Sequence, residues 1–307
     1  MSKFIVLIFF IVISNSSLAG DGVWQSICNF FVPHQEQQQL LFKTETQYFN
    51  IEVREDSAKI RHLVFLPYYG SQSTWNPQQP NKIYSPSLKT LCVTLATTPQ
   101  LPKKYLFLGM GAGLMPRFIH RHFPQAQIDI VELDPEVPKI AKKYFGYKSH
   151  AKTTIITADA RVYINNCKKR YDVIIVDVYN AKAVPFAVTT QEFFSRLKAC
   201  LTPQGVAGVN LANLGNEKFL VSELFTISQV FNNLLIYACP GDSNFIPIFS
   251  ANNPLQAKTI TKRVSQMDQD YKFEFNLAEW LNKCTEIKNI NDYFWTKPHF
   301  ITDDFSL

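Results

Sequence analysis

The residues best suited to chemistry in this sequence stand at the ends of short apolar runs. Leu106-Phe107-Leu108-Gly109-Met110-Gly111-Ala112-Gly113 reads as a buried strand that turns sharply into a helix. Glycines at such a turn let the backbone approach a ligand that any Cβ would hold away. About 20 residues further on, a second apolar run, Ile128-Asp129-Ile130-Val131, ends in Glu132, where a ribose diol would be held. Two more runs end near acids, Asp159 and Asp177. A glycine loop and three carboxylates at successive strand ends would line one cleft, which points to a nucleoside-binding α/β domain. The plainer alternative for each residue is a tight strand-to-helix turn or a surface carboxylate.

The elements that must position these groups follow from the pattern. Tyr105–Leu108, Ile128–Glu132, Thr154–Thr157, Val173–Val176 and Val206–Leu211 read as strands, with helical segments between them, such as Gln191–Leu201 before the turn at Pro203-Gln204-Gly205. Such alternation predicts a doubly wound parallel sheet. Ahead of it, residues 40–65 alternate apolar and polar side chains, as a small antiparallel sheet requires. Trp75–Pro80 reads as a loop and Tyr84–Ala96 as a helix entering the main domain. After Asn216 come a helix, strands at Leu234–Tyr237 and Phe245–Phe249, and further helices. The expected division is therefore a small β domain at 40–75, the nucleoside-binding domain at 84–250, and helices with a tail at 251–307.

Bulk properties narrow the function classes. The chain has 307 residues, 46% hydrophobic and 18% charged, which excludes wholesale disorder. The net charge of +6 is spread along the chain without an RNA-binding signature or zinc spacing, so nucleic acid is not expected as a partner. At the start, Lys3 precedes the apolar Phe4–Ile13 and the small polar run Ser14–Ala19. That pattern reads as a cleavable secretory signal over 1–19, followed by a polar, Gln-rich leader over 20–39. An uncleaved anchor or a buried N-terminal helix is the alternative. Ten apolar residues are too few to cross a bilayer, which takes about 20, so no stable membrane span is expected after cleavage. The six cysteines form no CxxC pair, against zinc or dithiol chemistry, and export would allow disulfides whose pairing the sequence leaves open. Cys92 and Cys200 sit among apolar residues and read as core thiols, and His120 and His122 read as helix-surface histidines.

Taken together, residues 40–250 resemble the spermidine synthase (polyamine aminopropyltransferase) family, within the S-adenosylmethionine-dependent methyltransferase fold. Tyr48-Phe49-Asn50-Ile51-Glu52-Val53 is similar to the family's Y-x-N-I-x-V strand, and Gly70–Thr74 to its Q-[ST]-T turn. Tyr84 opens a helix where the family has Tyr-His-Glu, and Gly109–Gly113 occupies its G-G-G-D-G loop. Asp177–Phe194 runs without a gap against D-x-x-D-P … F-T-x-x-F-[YF], with Thr190, Phe193 and Phe194 matching. The resemblance implies a Rossmann-like, methyltransferase-type sheet preceded by a small antiparallel β domain. It assigns Gln72, Gly109, Gly111, Gly113, Glu132 and Asp159 to the nucleoside, with Glu132 on the ribose and Asp159 on the adenine amino group. Asp177 takes the place of the general base, with Tyr84 beside it. The implied co-substrate is decarboxylated S-adenosylmethionine or S-adenosylmethionine, with no metal. The family's habit implies a homodimer.

The departures bear on the acceptor. Ala112 replaces the loop Asp, Asn180 the second Asp of D-x-x-D, and Ser85 the His after Tyr84. Each replacement removes a group suited to gripping or deprotonating a polyamine, and such charge-assisted hydrogen bonds contribute about 1.5–3 kcal/mol each. Alanine at 112 would tolerate the methionine carboxylate of intact S-adenosylmethionine. Phe107, however, stands where many methyltransferases carry the acid that holds its ammonium. The reading is a spermidine-synthase-like transferase moving an aminopropyl or methyl group to a small-molecule amine or other acceptor. The alternative is an exported, non-catalytic nucleoside-binding pseudoenzyme. Either would be periplasmic or secreted. The Thr302-Asp303-Asp304 segment resembles a T-D-D tail in some relatives and reads here as a solvated tail.

Overall fold

Alternation over residues 40–66 folds as β1 (Gln39–Glu45), β2 (Asn50–Glu55) and β3 (Arg61–Leu66), and β4 (Ser71–Trp75) completes a sheet in the order β1-β2-β3-β4. Ile51 pairs with Phe65 and Val53 with Leu63, so one face of the β2–β3 ladder is apolar and buried. β4 differs from expectation, because Gly70–Thr74 read as a turn. Its Ser-Gln-Ser-Thr sequence has no apolar alternation, and pairing with β3 makes it a strand. The computed structural model describes residues 38–67, 70–179, 184–213, 215–290 and 296–304. The expected signal at 1–19, nearly all of the leader, Cys28 and Asn180 lie outside the described residues. Residues 40–307 form one compact unit.

The second sheet carries the site. Its elements run α1 (Pro86–Leu91), β5 (Lys104–Leu108), α2 (Leu114–His122), β6 (Gln127–Glu132), α3 (Glu136–Tyr144), β7 (Thr153–Thr157), α4 (Ala160–Asn166) and β8 (Tyr171–Val176). They continue with α5 (Gln191–Ala199), β9 (Leu201–Val209), β10 (Leu211–Ala212), α6 (Glu217–Val230), β11 (Asn233–Ala238), β12 (Asn244–Ser250), α7 (Ala257–Tyr271), α8 (Leu277–Lys283) and β13 (Thr285–Glu286). Among the described residues the order is β13-β11-β12-β9-β8-β5-β6-β7, with β10 on β12. β9, β8, β5, β6 and β7 are parallel, and β12, β11 and β13 add an antiparallel flank. This is a Rossmann-like, methyltransferase-type sheet preceded by a small antiparallel sheet.

Two-sided burial explains why the central strands are apolar throughout. Tyr105, Phe107, Val173 and Ile175 belong to one hydrophobic cluster, while Leu106, Leu108, Ile174 and Val176 belong to the other. Strand side chains alternate between faces, so each central strand feeds both helical layers. The first cluster also takes in Ile51, Val53, Leu63 and Trp75 of β2–β4, joining the two sheets through one core.

Three local expectations change. The helix expected over 84–96 begins at Pro86, with Ser85 as its N-cap, and gives way to a 3₁₀ turn over Cys92–Ala96. Proline disfavours helical backbone in the residue before it, so Tyr84 stays in the preceding loop. His120 and His122 are not free surface groups. His120 stacks on His150 with ring centroids 3.9 Å apart, and burial pushes it down to about 4; His122 meets Glu274 at 2.9 Å. The Thr302-Asp303-Asp304 tail is docked. Thr190 donates to Asp303 at 2.7 Å, and Asp303 N donates to Glu192 at 3.0 Å. Arg161 holds Asp303, Thr190 Oγ1 (2.8 Å) and the Ala187 carbonyl (3.1 Å) together. Arg161→Ala is therefore expected to cost about 1–3 kcal/mol in urea unfolding. It should also release residues 301–304 to carboxypeptidase, and an undigested tail in the variant would contradict this role.

Candidate functional site

Parallel register brings the strand ends to one level. Leu108 lies beside Val131 and Val176, and Glu132 beside Thr157. Across the sheet the carboxyl edge thus reads Asp159, Glu132, Gly109, Asp177 and Asn210. The order reverses between β5 and β8, and at such a switch point the two outgoing connections diverge and leave a crevice. A cleft of about 670 Å³ opens there.

The glycine loop is shaped by what surrounds it. A Cβ on Gly109, at φ +92°, would lie 2.2 Å from the Asp177 carbonyl oxygen. Only glycine lets β5 leave the sheet so close to β8. Gly111 faces Ser73 of β4, whose Oγ accepts from Ala112 N at 3.1 Å and ties the loop to the first sheet. Gly113 has another role. It stands at the N-cap of α2, where a Cβ would strike the Tyr147 ring at 2.5 Å, and it is not part of the cleft wall. Ala112 is likewise buried in the core rather than lining the cleft.

The carboxyl groups differ in how they are held. Glu132 is buried and accepts backbone N–H bonds from Met110 at 2.9 Å and Asp134 at 3.1 Å. It organises the glycine loop from below, and burial raises its pKa above the ordinary carboxylate value. Asp159 caps α4, with its Oδ1 accepting from Val162 N at 2.9 Å. Asp177 is secured by its own N–H to the Leu108 carbonyl and by Asn210 Nδ2, which donates to Oδ1 at 2.9 Å. Burial raises its pKa as well, and the Asn210 bond opposes that only in part. Gln72 on β4 and Tyr84 also line the cleft; the Tyr84 hydroxyl donates to Gln79 Oε1 at 3.2 Å, and Lys82 sits over its ring. The structure therefore brings together seven of the eight residues singled out from sequence: Gln72, Tyr84, Gly109, Gly111, Glu132, Asp159 and Asp177.

Several lining residues carried no sequence signal. Asn210 accepts from Asn244 Nδ2 at 2.7 Å, and its carbonyl accepts from Tyr179 at 2.6 Å, forming a chain of polar groups that ends on Asp177. Asp242, in the turn between β11 and β12, adds a fourth carboxylate to the wall. Phe107, Met110, Leu114 and Leu133 supply an apolar surface suited to a flat heterocycle. No Lys, Arg or His is among the described residues of the wall, although the chain as a whole is basic.

Comparison with known proteins agrees with this fold. Residues 87–252 match the spermine/spermidine synthase domain, and the chain belongs to that family. It is 27% identical to a polyamine aminopropyltransferase from Vibrio vulnificus, over 71% of this chain and 74% of that protein. It is 32% identical to the human eEF1A lysine and N-terminal methyltransferase over 51% of this chain, but spans only 24% of that protein. The crystal structure of human methyltransferase-like protein 13 in complex with SAH superposes with a TM-score of 0.55 at 27% identity, covering 61% of this chain and 93% of that one.

The raised pKa of Asp177 has a signed consequence. The folded state holds this proton more tightly than the unfolded chain, so the group lowers stability as pH rises from roughly 4 through its raised value, and contributes nothing below. Asp177→Asn keeps the acceptor for Asn210 and removes the titration. Urea midpoints of variant and native protein should coincide near pH 3.5 and separate by pH 8, the variant being the more stable. A constant difference across that range would show that Asp177 does not titrate abnormally.

Proposed function

We propose that this chain is a transferase that binds a sulfonium nucleoside, S-adenosylmethionine or its decarboxylated form, and passes an alkyl group to an amine. The observation that carries this reading is the composition of the cleft wall: four carboxyl groups, an apolar floor, a glycine loop and, among the described residues, no basic side chain. Such a wall suits a cation on each side of the reaction, sulfonium in the donor and ammonium in the acceptor. Family membership supports it, and relatives named for aminopropyl and for methyl transfer leave both groups in play.

In this reading Glu132 accepts from the ribose hydroxyls with the lone pairs its backbone bonds leave free. The apolar floor packs the adenine, and Asp159 receives its amino group. Gln72 adds a polar contact from β4. The acceptor nitrogen attacks the carbon next to sulfur in line. The carbon–sulfur bond breaks with its electron pair passing to sulfur, giving a neutral thioether, and the nitrogen's proton goes to Asp177. Burial raises the Asp177 pKa toward the operating pH, which suits a base. Holding the two reactants aligned supplies much of the acceleration.

A second reading, a nucleoside binder without turnover, is favoured by Ser85, which caps α1 through Leu88 N at 3.3 Å where the resembling family has a histidine. Export of the chain belongs to both readings, and the basic, apolar and small-residue order of residues 3–19 supports it.

Calorimetry with methylthioadenosine and both donors, followed by labelled-donor transfer to a panel of amines, separates the cases. Glu132→Ala is expected to weaken nucleoside binding about a hundredfold. Asp177→Asn should leave binding intact and slow transfer by about 10²–10⁴. Tight binding with no transfer to any amine selects the non-catalytic reading. Absence of nucleoside binding in the native chain removes both.

A further inference from the structure

The described cysteines are five free thiols, and four of them face one another in two pairs. The first pair follows from strand register. β11 and β13 align Tyr237 with Glu286 and Ala238 with Thr285, so one step onward sets Cys239 opposite Cys284. Ile287 N donates to Ile236 O at 2.8 Å, which makes that pair hydrogen-bonded and, by alternation, the Cys239–Cys284 pair non-hydrogen-bonded. Cys239 N accordingly turns to the other neighbour and donates to Asn244 O at 2.9 Å. Non-hydrogen-bonded antiparallel partners have Cα atoms about 4.5 Å apart, inside the roughly 4.4–6.8 Å span of disulfides. Thr90 Oγ1 is 3.7 Å from Cys284 Sγ, and its hydroxyl opposes the rise that burial gives the pKa of both thiols.

The second pair joins helix ends. Cys167 is the C-cap of α4 and Cys200 the C-cap of α5, and both reach one carbonyl: Ile164 O accepts from Cys200 Sγ at 3.9 Å and from Cys167 N at 3.3 Å. Cys200, read from sequence as a core thiol, is buried but has this neighbour. Cys92 is different: fully buried, with its Sγ 3.9 Å from Met115 Sδ.

We propose that Cys239–Cys284 and Cys167–Cys200 form two disulfides when the chain is held in an oxidising compartment. Each bond forms by exchange with an external disulfide, which takes up two electrons and two protons and leaves as two thiols, while the protein sulfurs become joined. In the helix-end pair Cys167 attacks first, because the neighbouring Cys200 thiol draws it down to about 6, and Cys200 then displaces the mixed disulfide. In the strand pair the half-buried Cys284 meets the oxidant, and the buried Cys239 closes the bond. The Cys239–Cys284 bond would fasten the β11–β12 turn, which carries Asp242 and Asn244 into the cleft, to the end of α8. The proposal stands apart from the nucleoside reading.

The test uses the full chain equilibrated with oxidised and reduced glutathione, then denatured, alkylated without reduction, digested and mapped by mass. Linked fragments carrying Cys239–Cys284 and Cys167–Cys200, with Cys92 alkylated, are expected. The double variant C239S/C284S should lose the first link and keep the second. Alkylation of all four cysteines, or links from them to Cys28 or Cys92 instead, would overturn the proposal. Recovery of one link alone retains that pair and rejects the other.

Discussion

The whole site rests on how closely β5 and β8 run at the point where the sheet changes direction. The Asp177 carbonyl occupies the space where a side chain at position 109 would begin, so β5 must end in a residue with none. That contact fixes the level of Asp177 relative to the glycine loop, and the Glu132 carboxylate fixes the loop from the other side through Met110 N. The crevice exists because the outgoing chains part on either side of this seam. Any widening of it would move the loop, the ribose-level acid and the buried aspartate together.

Electrostatics then gives the crevice its character. A chain with net charge +6 places four carboxyl groups and, among the described residues, no Lys, Arg or His on one concave surface. Desolvation raises Glu132 and Asp177, and each is stabilised in part by donors the fold supplies, two backbone amides for one and Asn210 for the other. The Asn210–Asn244 link carries this control to β12, so the antiparallel flank takes part in the site as well as closing the sheet. The docked tail acts at the opposite lip, where Arg161 joins Asp303 to Ala187, itself a wall residue.

Sequence reading and structure part company for identifiable reasons. Gly113 has the same spacing as Gly109 and Gly111, yet it serves the packing of α2 against Tyr147, because a motif records glycines without saying what crowds them. β4 is polar up to Trp75 and exists through pairing with β3, a non-local effect that alternation does not register. Asp303 stands in a polar tail that looks solvated, and it is held by Arg161 from a helix more than a hundred residues earlier. Asn210 is one polar residue after an apolar strand, and only its neighbour across the sheet gives it a task.

What the sequence by itself determined is the set of strand-ending residues: apolar runs of the right length, closed by Gly109, Glu132, Asp159 and Asp177, imply a parallel sheet with these groups on one edge. Local periodicity is enough for that, because burial on both faces demands continuous apolar strands. Tertiary structure alone decided which polar groups share the wall with them, which glycine is crowded by backbone and which by an aromatic ring, and which cysteines face each other. Those depend on strand order and register, and contacts between chain segments far apart in sequence leave no periodic trace in either one.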